Sequence, residues 1–133
     1  MGPYRLRLLL DTHALVWFSN GDPALSRKAV KVIEDPDNEV YVSAVSALEV
    51  AIKHRRGKLP SAEPLATDFD REIAGHGLIA LLITSNQARV AGSLPGDHAD
   101  PFDRILAAQA LLEGLTLVSR DAALDAFGVS RLW

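Results

Sequence analysis

The sequence predicts an α/β fold: a mostly parallel sheet covered by helices. Short runs that are apolar on both faces alternate with amphipathic helical segments along nearly the whole chain. Strands that read as continuous apolar runs belong to sheets buried on both sides. Cap and turn residues punctuate most of the junctions. At 133 residues, with no repeat and no Pro/Gly/Ser linker, one domain over 1–133 is expected.

The elements follow in order. Leu6 to Leu10 is an apolar strand that ends abruptly at Asp11. His13 to Asn20 reads as a helix closed by the turn Asn20-Gly21-Asp22-Pro23, and Ser26 caps a helix to Glu34 with Ala29, Val30 and Ile33 on one face. Val40 to Val42 is a second strand. Ser43 or Ser46 then caps a helix reaching about Arg56, stopped by Gly57. Leu65 to Gly75 reads as one helix with Leu65, Phe69, Ile73 and Ala74 inward, and Leu78 to Ile83 as a third buried strand. Thr84 caps a helix to about Leu94, and Pro95 to Ala99 is a loop. Asp100-Pro101 opens a helix that runs to Glu113 and stops at Gly114. Thr116 to Ser119 is a fourth strand, Asp121 to Phe127 a short helical turn, and Val129 to Trp133 an edge strand.

Composition narrows the chemistry. With no cysteine, disulfides, thiolate zinc sites and cysteine nucleophiles are excluded. That agrees with a cytoplasmic location. The run before Asp11 is far too short for a membrane span, and no signal peptide is visible. A formal net charge of −3 counts mildly against a nucleic-acid partner, although Lys53, His54, Arg55, Arg56 and Lys58 form a local basic patch. The same cations also suit a helix C-terminus.

Four acids invite a functional reading. Asp11 and Asp121 follow strands, and in parallel α/β folds the ligand crevice lies beyond the carboxyl ends of the strands. A single Asp in such a place is more often a turn former or a helix cap. Glu49 lies among small and apolar neighbours, where a carboxylate is costly without compensation. Against that, Ser46-x-x-Glu49 could be a capping box. Asp100 reads as an N-cap, whereas Asp103 projects from the crevice end of a helix that must pack on the sheet. Like charges gathered closely repel unless a cation relieves them. Mg²⁺ prefers hard oxygen ligands, and a bound ion can activate water and stabilise a phosphodiester.

The motifs around these acids resemble those of PIN domains, and in particular of VapC-type bacterial toxins. Leu8-Leu9-Leu10-Asp11-Thr12 resembles the opening motif, and Val42 to Glu49 the second. His98 to Ala110, containing Asp100-Pro101-Phe102-Asp103-Arg104, resembles the third, and Leu117-Val118-Ser119-Arg120-Asp121 the fourth. The resemblance implies a three-layer α/β/α sandwich and a Mg²⁺- or Mn²⁺-dependent endoribonuclease. It implies an acidic pocket of Asp11, Glu49, Asp103 and Asp121, with Asp11, Asp103 and Asp121 on the metal. Thr12, Asp100, Arg104 and Ser119 are auxiliary candidates. It also implies an RNA substrate, a small antitoxin partner and a homodimer.

Arg104 and Arg120 could bind phosphate or the antitoxin, or pair with Asp103 and Asp121. Trp17 and Phe18 are adjacent on a helix, so one is expected in the core and the other in the core or at an interface. His13 reads as a polar contact and His98 as a loop residue rather than a base. Two other classes compete. A phosphatase-like enzyme would use Asp11 as nucleophile, but the Asp-x-Asp pattern expected there is broken by His13. In a non-catalytic binding module, the acids would serve as caps and surface charges.

Overall fold

The structure is a computed structural model that describes residues 5–133; residues 1–4 of the expected domain lie outside the described residues. Five strands form one sheet: β1 (Arg7–Leu10), β2 (Glu39–Ser43), β3 (Ile79–Leu81), β4 (Thr116–Val118) and β5 (Arg131–Leu132). Their spatial order is β3-β2-β1-β4-β5 and every pairing is parallel. The central strand β1 explains why the sheet is covered on both faces. Leu8 and Leu10 join one apolar core with Ala14, Leu15, Val40 and Val42. Leu9 joins the other with Leu106, Ala107, Leu117 and Leu124. Successive strand residues point to opposite faces, so a run of three fully buried leucines requires a layer on each side.

Among the described residues, seven helices supply those layers: α1 (Thr12–Asn20), α2 (Arg27–Glu34), α3 (Ala44–Arg55), α4 (Glu63–Thr67), α5 (Phe69–Gly75), α6 (Ser85–Ser93) and α7 (Pro101–Glu113). Short 3₁₀ segments occupy Pro60–Ala62 and Ala122–Phe127. The expected stops hold. Gly21 and Gly114 end α1 and α7 at φ of 62° and 66°, a left-handed conformation that glycine adopts without strain.

Three expectations need correction. First, the helix expected over Leu65 to Gly75 is broken at Asp68, whose carboxylate caps α5 by accepting from the Arg71 N–H. An Asp inside a helical pattern competes for backbone donors, and here it wins. Ala74, expected inward, is exposed. Second, the strand after it is an edge of three residues and not a buried run. Leu78 is buried, but Ile79 and Leu82 are 41% and 75% exposed. Apolar residues alone do not distinguish an edge from a centre. Third, α3 is capped by Ser43, whose hydroxyl accepts from Val45 N at 3.0 Å. The Ser46–Glu49 capping box therefore does not form, and a box appears instead at Thr84 and Gln87.

The choice of cap fixes the phase of α3 and hence where Glu49 points. Ser43→Ala should cost about 1 kcal/mol of stability, the usual loss for a hydroxyl cap. Urea unfolding of the variant measures it. A change within error would show that the start of α3 is held by packing alone.

Candidate functional site

The carboxyl ends of β1 and β4 deliver two of the acids. Asp11 is the residue after β1, and its backbone N–H still donates to the Val118 carbonyl, so strand pairing holds it in place. Its Oδ1 accepts from Ala14 N at 2.8 Å, which caps α1. Asp121 lies three residues past β4. The Ser119 hydroxyl accepts from its N–H at 3.1 Å, and its own Oδ1 accepts from Ala123 N at 3.0 Å. Asp100 caps α7 through the N–H groups of Phe102 and Asp103, so Asp103 lies in the first turn of the helix. Glu49 lies midway along α3 and is 4% exposed.

These segments converge. One cavity of about 230 Å³ is lined by Asp11, Thr12, His13, Glu49, Lys53, Asp100, Asp103 and Asp121. All four acids singled out in the sequence are therefore brought together, with Asp100 as a fifth carboxylate. Lys53 is the cation among the lining residues, and its ammonium lies 2.5 Å from Glu49 Oε2. Lys53 thus turns inward from the basic patch.

The crowding shows in the acids' chemistry. Burial pushes the Asp11 carboxyl above its usual range. The Ser119 hydroxyl, the Ala14 N–H and the charge of His13 pull it back, and the Asp103 carboxylate raises it further. Asp103 is raised in the same way, first by burial and then by the charges of Asp100 and Glu49, against a hydrogen bond from His98. Such a donor set suits a hard divalent cation, which removes the repulsion and needs oxygen ligands.

The sequence reading sets His98 aside as a loop residue, and the structure brings it to the site. Its Nε2 lies 2.9 Å from Asp103 Oδ2, and ligand atoms of His98, Asp103 and Asp121 all fall within 4.8 Å of one another. The loop gave no periodic signal, and only spatial proximity reveals the residue. Arg104 holds that loop. It does not pair with Asp103. Its guanidinium donates to the carbonyls of Ala91 at 2.9 Å and His98 at 3.0 Å, and also to that of Leu94. It packs 5.5 Å from the Phe127 ring centre. Arg120 does not pair with Asp121 either; it lies over the Trp17 ring. Trp17 and Phe18 are both half-buried against the core, so neither is wholly interior. Thr12 and Ser46 share a buried hydrogen bond of 2.9 Å that ties α1 to α3 beside the cavity.

The fold and cavity together define an α/β domain with an acidic, cation-seeking site at the carboxyl edge of a parallel sheet. Residues 8–129 match the PIN domain family, and the chain belongs to it. It is 33% identical over 118 residues to Ribonuclease VapC22 of Mycobacterium tuberculosis, covering 88% of each chain. Its fold superposes on VapBC2 from Rickettsia felis bound to a DNA fragment from their promoter. The TM-score is 0.70 at 16% identity, over 96% of this chain and 98% of that one. VapBC-1 from nontypeable Haemophilus influenzae gives 0.63 at 15% identity, over 96% and 97% of the two chains. At those identities the two likenesses speak for the fold. Among the described residues, no helix is long and apolar enough to cross a membrane.

The raised carboxyl of Asp11 has a consequence for the metal-free protein. Its native state holds a proton more tightly than the unfolded chain does. Its contribution to stability is therefore complete below the ordinary Asp value of about 3.9 and is lost as pH rises through the elevated native value. Asp11→Asn keeps an oxygen to cap α1 and removes the buried charge. In EDTA at neutral pH the variant should melt at a higher temperature than the parent, and the gap should narrow towards pH 4. A lower melting temperature for the variant at neutral pH would contradict this.

Proposed function

We propose that the chain is a divalent-metal-dependent endoribonuclease that hydrolyses RNA phosphodiesters and serves as the toxin of a type II toxin–antitoxin pair. The observation that carries the reading is the cavity: five carboxylates from four segments of the chain meet around a single lysine. No solvent-facing role accounts for Glu49 or Asp11, at 4% and 8% exposure. The relative named a ribonuclease supports the activity, and the solved VapBC structures support a small antitoxin as partner.

Asp11, Asp103 and Asp121 would hold Mg²⁺ or Mn²⁺. A bound ion would supply positive charge against the phosphodiester oxygens and would lower the pKa of a water so that it can serve as a hydroxide nucleophile. The residues of the chain prepare that chemistry. Ala14 N–H and Ser119 fix the Asp11 carboxylate. His98 holds Asp103. Lys53 keeps Glu49 beside the cavity as a hydrogen-bond acceptor able to orient the attacking water. Arg104 serves indirectly, by holding the carbonyls of the His98 loop. The protein acts as one domain in the cytoplasm. Exposed Leu48 and Leu82 offer apolar surface for self-association as a homodimer.

Purified protein should cleave RNA with Mg²⁺ or Mn²⁺ and stop in EDTA. Asp11→Asn and Asp103→Asn should each lower the rate on the order of a hundredfold or more, as loss of one preorganised electrostatic group does. Millimolar metal should raise the melting temperature of the parent by mass action, and that of the variants less. Undiminished cleavage in both variants would reject the assignment.

A further inference from the structure

Lys53 stands apart from the basic patch that surrounds it in the sequence. Arg55, Arg56 and Lys58 are exposed and, among the described residues, pair with no carboxylate. Lys53 follows Glu49 by one turn of α3, and its ammonium turns into the acidic cavity to meet Glu49 Oε2 at 2.5 Å. Pairs at this spacing on an open surface contribute little, because water surrounds both partners. Here the Glu49 side chain is only 6% exposed and that of Lys53 30%. A carboxylate buried so far needs a cationic partner, and removing that partner is costly.

The donors around the cavity are not evenly disposed. Ligand atoms of His98, Asp103 and Asp121 gather closely, and among the described residues Glu49 belongs to no such group of three. Glu49 nonetheless faces the same space, since its charge acts on Asp103. Nucleases that use two divalent ions set them about 4 Å apart, and the second ion needs a carboxylate of its own. Glu49 is the acid free to serve there, but Lys53 already holds it. Mg²⁺ sits about 2.1 Å from its oxygen ligands, so an ion on Glu49 Oε2 would come within about 5 Å of the ammonium. Like charges that close repel strongly in a site shielded from water.

We infer that the Lys53 ammonium takes the place of a second divalent cation, so that the cavity accepts one ion, at Asp11, Asp103 and Asp121. The inference rests on the acidic cavity being a metal site. Lys53 gives Glu49 a fixed positive partner that no chelator removes. Glu49 therefore remains an acceptor for water and is not a metal ligand.

Counting bound metal tests this without relying on catalysis. Mn²⁺ titrated into the parent protein, followed by the EPR signal of the free ion and by calorimetry, should saturate at one ion per chain. Lys53→Met keeps the length of the side chain and removes its charge. It should take up a second ion and show the broadened spectrum of two neighbouring Mn²⁺ centres, whereas Lys53→Arg should stay at one. Glu49→Gln combined with Lys53→Met removes both members of the pair and leaves the net charge of the cavity unchanged. That double variant should bind one ion with the affinity of the parent, a result that decides the matter even if Lys53→Met alone fails to fold. Two ions in the parent, one ion in a folded Lys53→Met, or a loss of affinity of about tenfold or more in the double variant would overturn the inference. A parent that binds no Mn²⁺ would instead overturn the metal-dependent reading itself.

Discussion

The structure depends on a conflict of charge at the end of the central strand. Asp11 is buried, and the charge of Asp103 adds to burial in disfavouring its ionisation. A fold does not ordinarily hold such a group, because burying an unpaired charge is expensive. Local hydrogen bonds from Ala14 and Ser119 offset part of the cost, and a divalent cation would offset the rest. The aspartates at the cavity also serve the backbone. Asp11, Asp100 and Asp121 each cap a helical segment with one oxygen. Capping and function are therefore not rival explanations. Helices that start at the carboxyl edge of a parallel sheet need acceptors where a cation site needs donors of electrons, and one carboxylate satisfies both.

Around that centre the arginines and the lysine divide the labour. Lys53 neutralises Glu49. Arg104 has its charge committed to three carbonyls and so organises the loop that brings His98 to Asp103. Arg120 alone of the three is left facing the open rim. Two arginines each adjacent to a motif acid look equivalent along the chain. Only the three-dimensional placement of their partners tells them apart.

Much of the fold was legible because local chemistry agreed with the global arrangement. The both-faced apolar run Leu8 to Leu10 marked a central strand, and Pro101 with Asp100 marked the start of α7. Asp11, Asp103 and Asp121 stood out because each falls where strand ends or helix starts gather, and Glu49 because its neighbours on α3 are small or apolar. What stayed hidden was set by tertiary context. Asp68 breaks a helix that its neighbours favour. Ile79 to Leu81 is apolar yet lies at the sheet's edge. Ser43 caps α3, while Ser46 lies inside the helix and bonds to Thr12 on another helix. His98 opens the third motif but read only as a loop residue, since its meaning comes from Asp103 and Asp121 in space.

The strand order has a bearing on biosynthesis. β1, made first, sits between β2 and β4, and Leu8 pairs with Thr116 from the far end of the chain. Such long-range pairing must wait until the late segment has emerged from the ribosome. Asp11 and Glu49 are translated early, but Asp103 and Asp121 arrive only with the final third. A nascent polypeptide that has not yet reached Asp121 thus lacks the complete set of carboxylates, and the cavity can assemble only once β4 has been made.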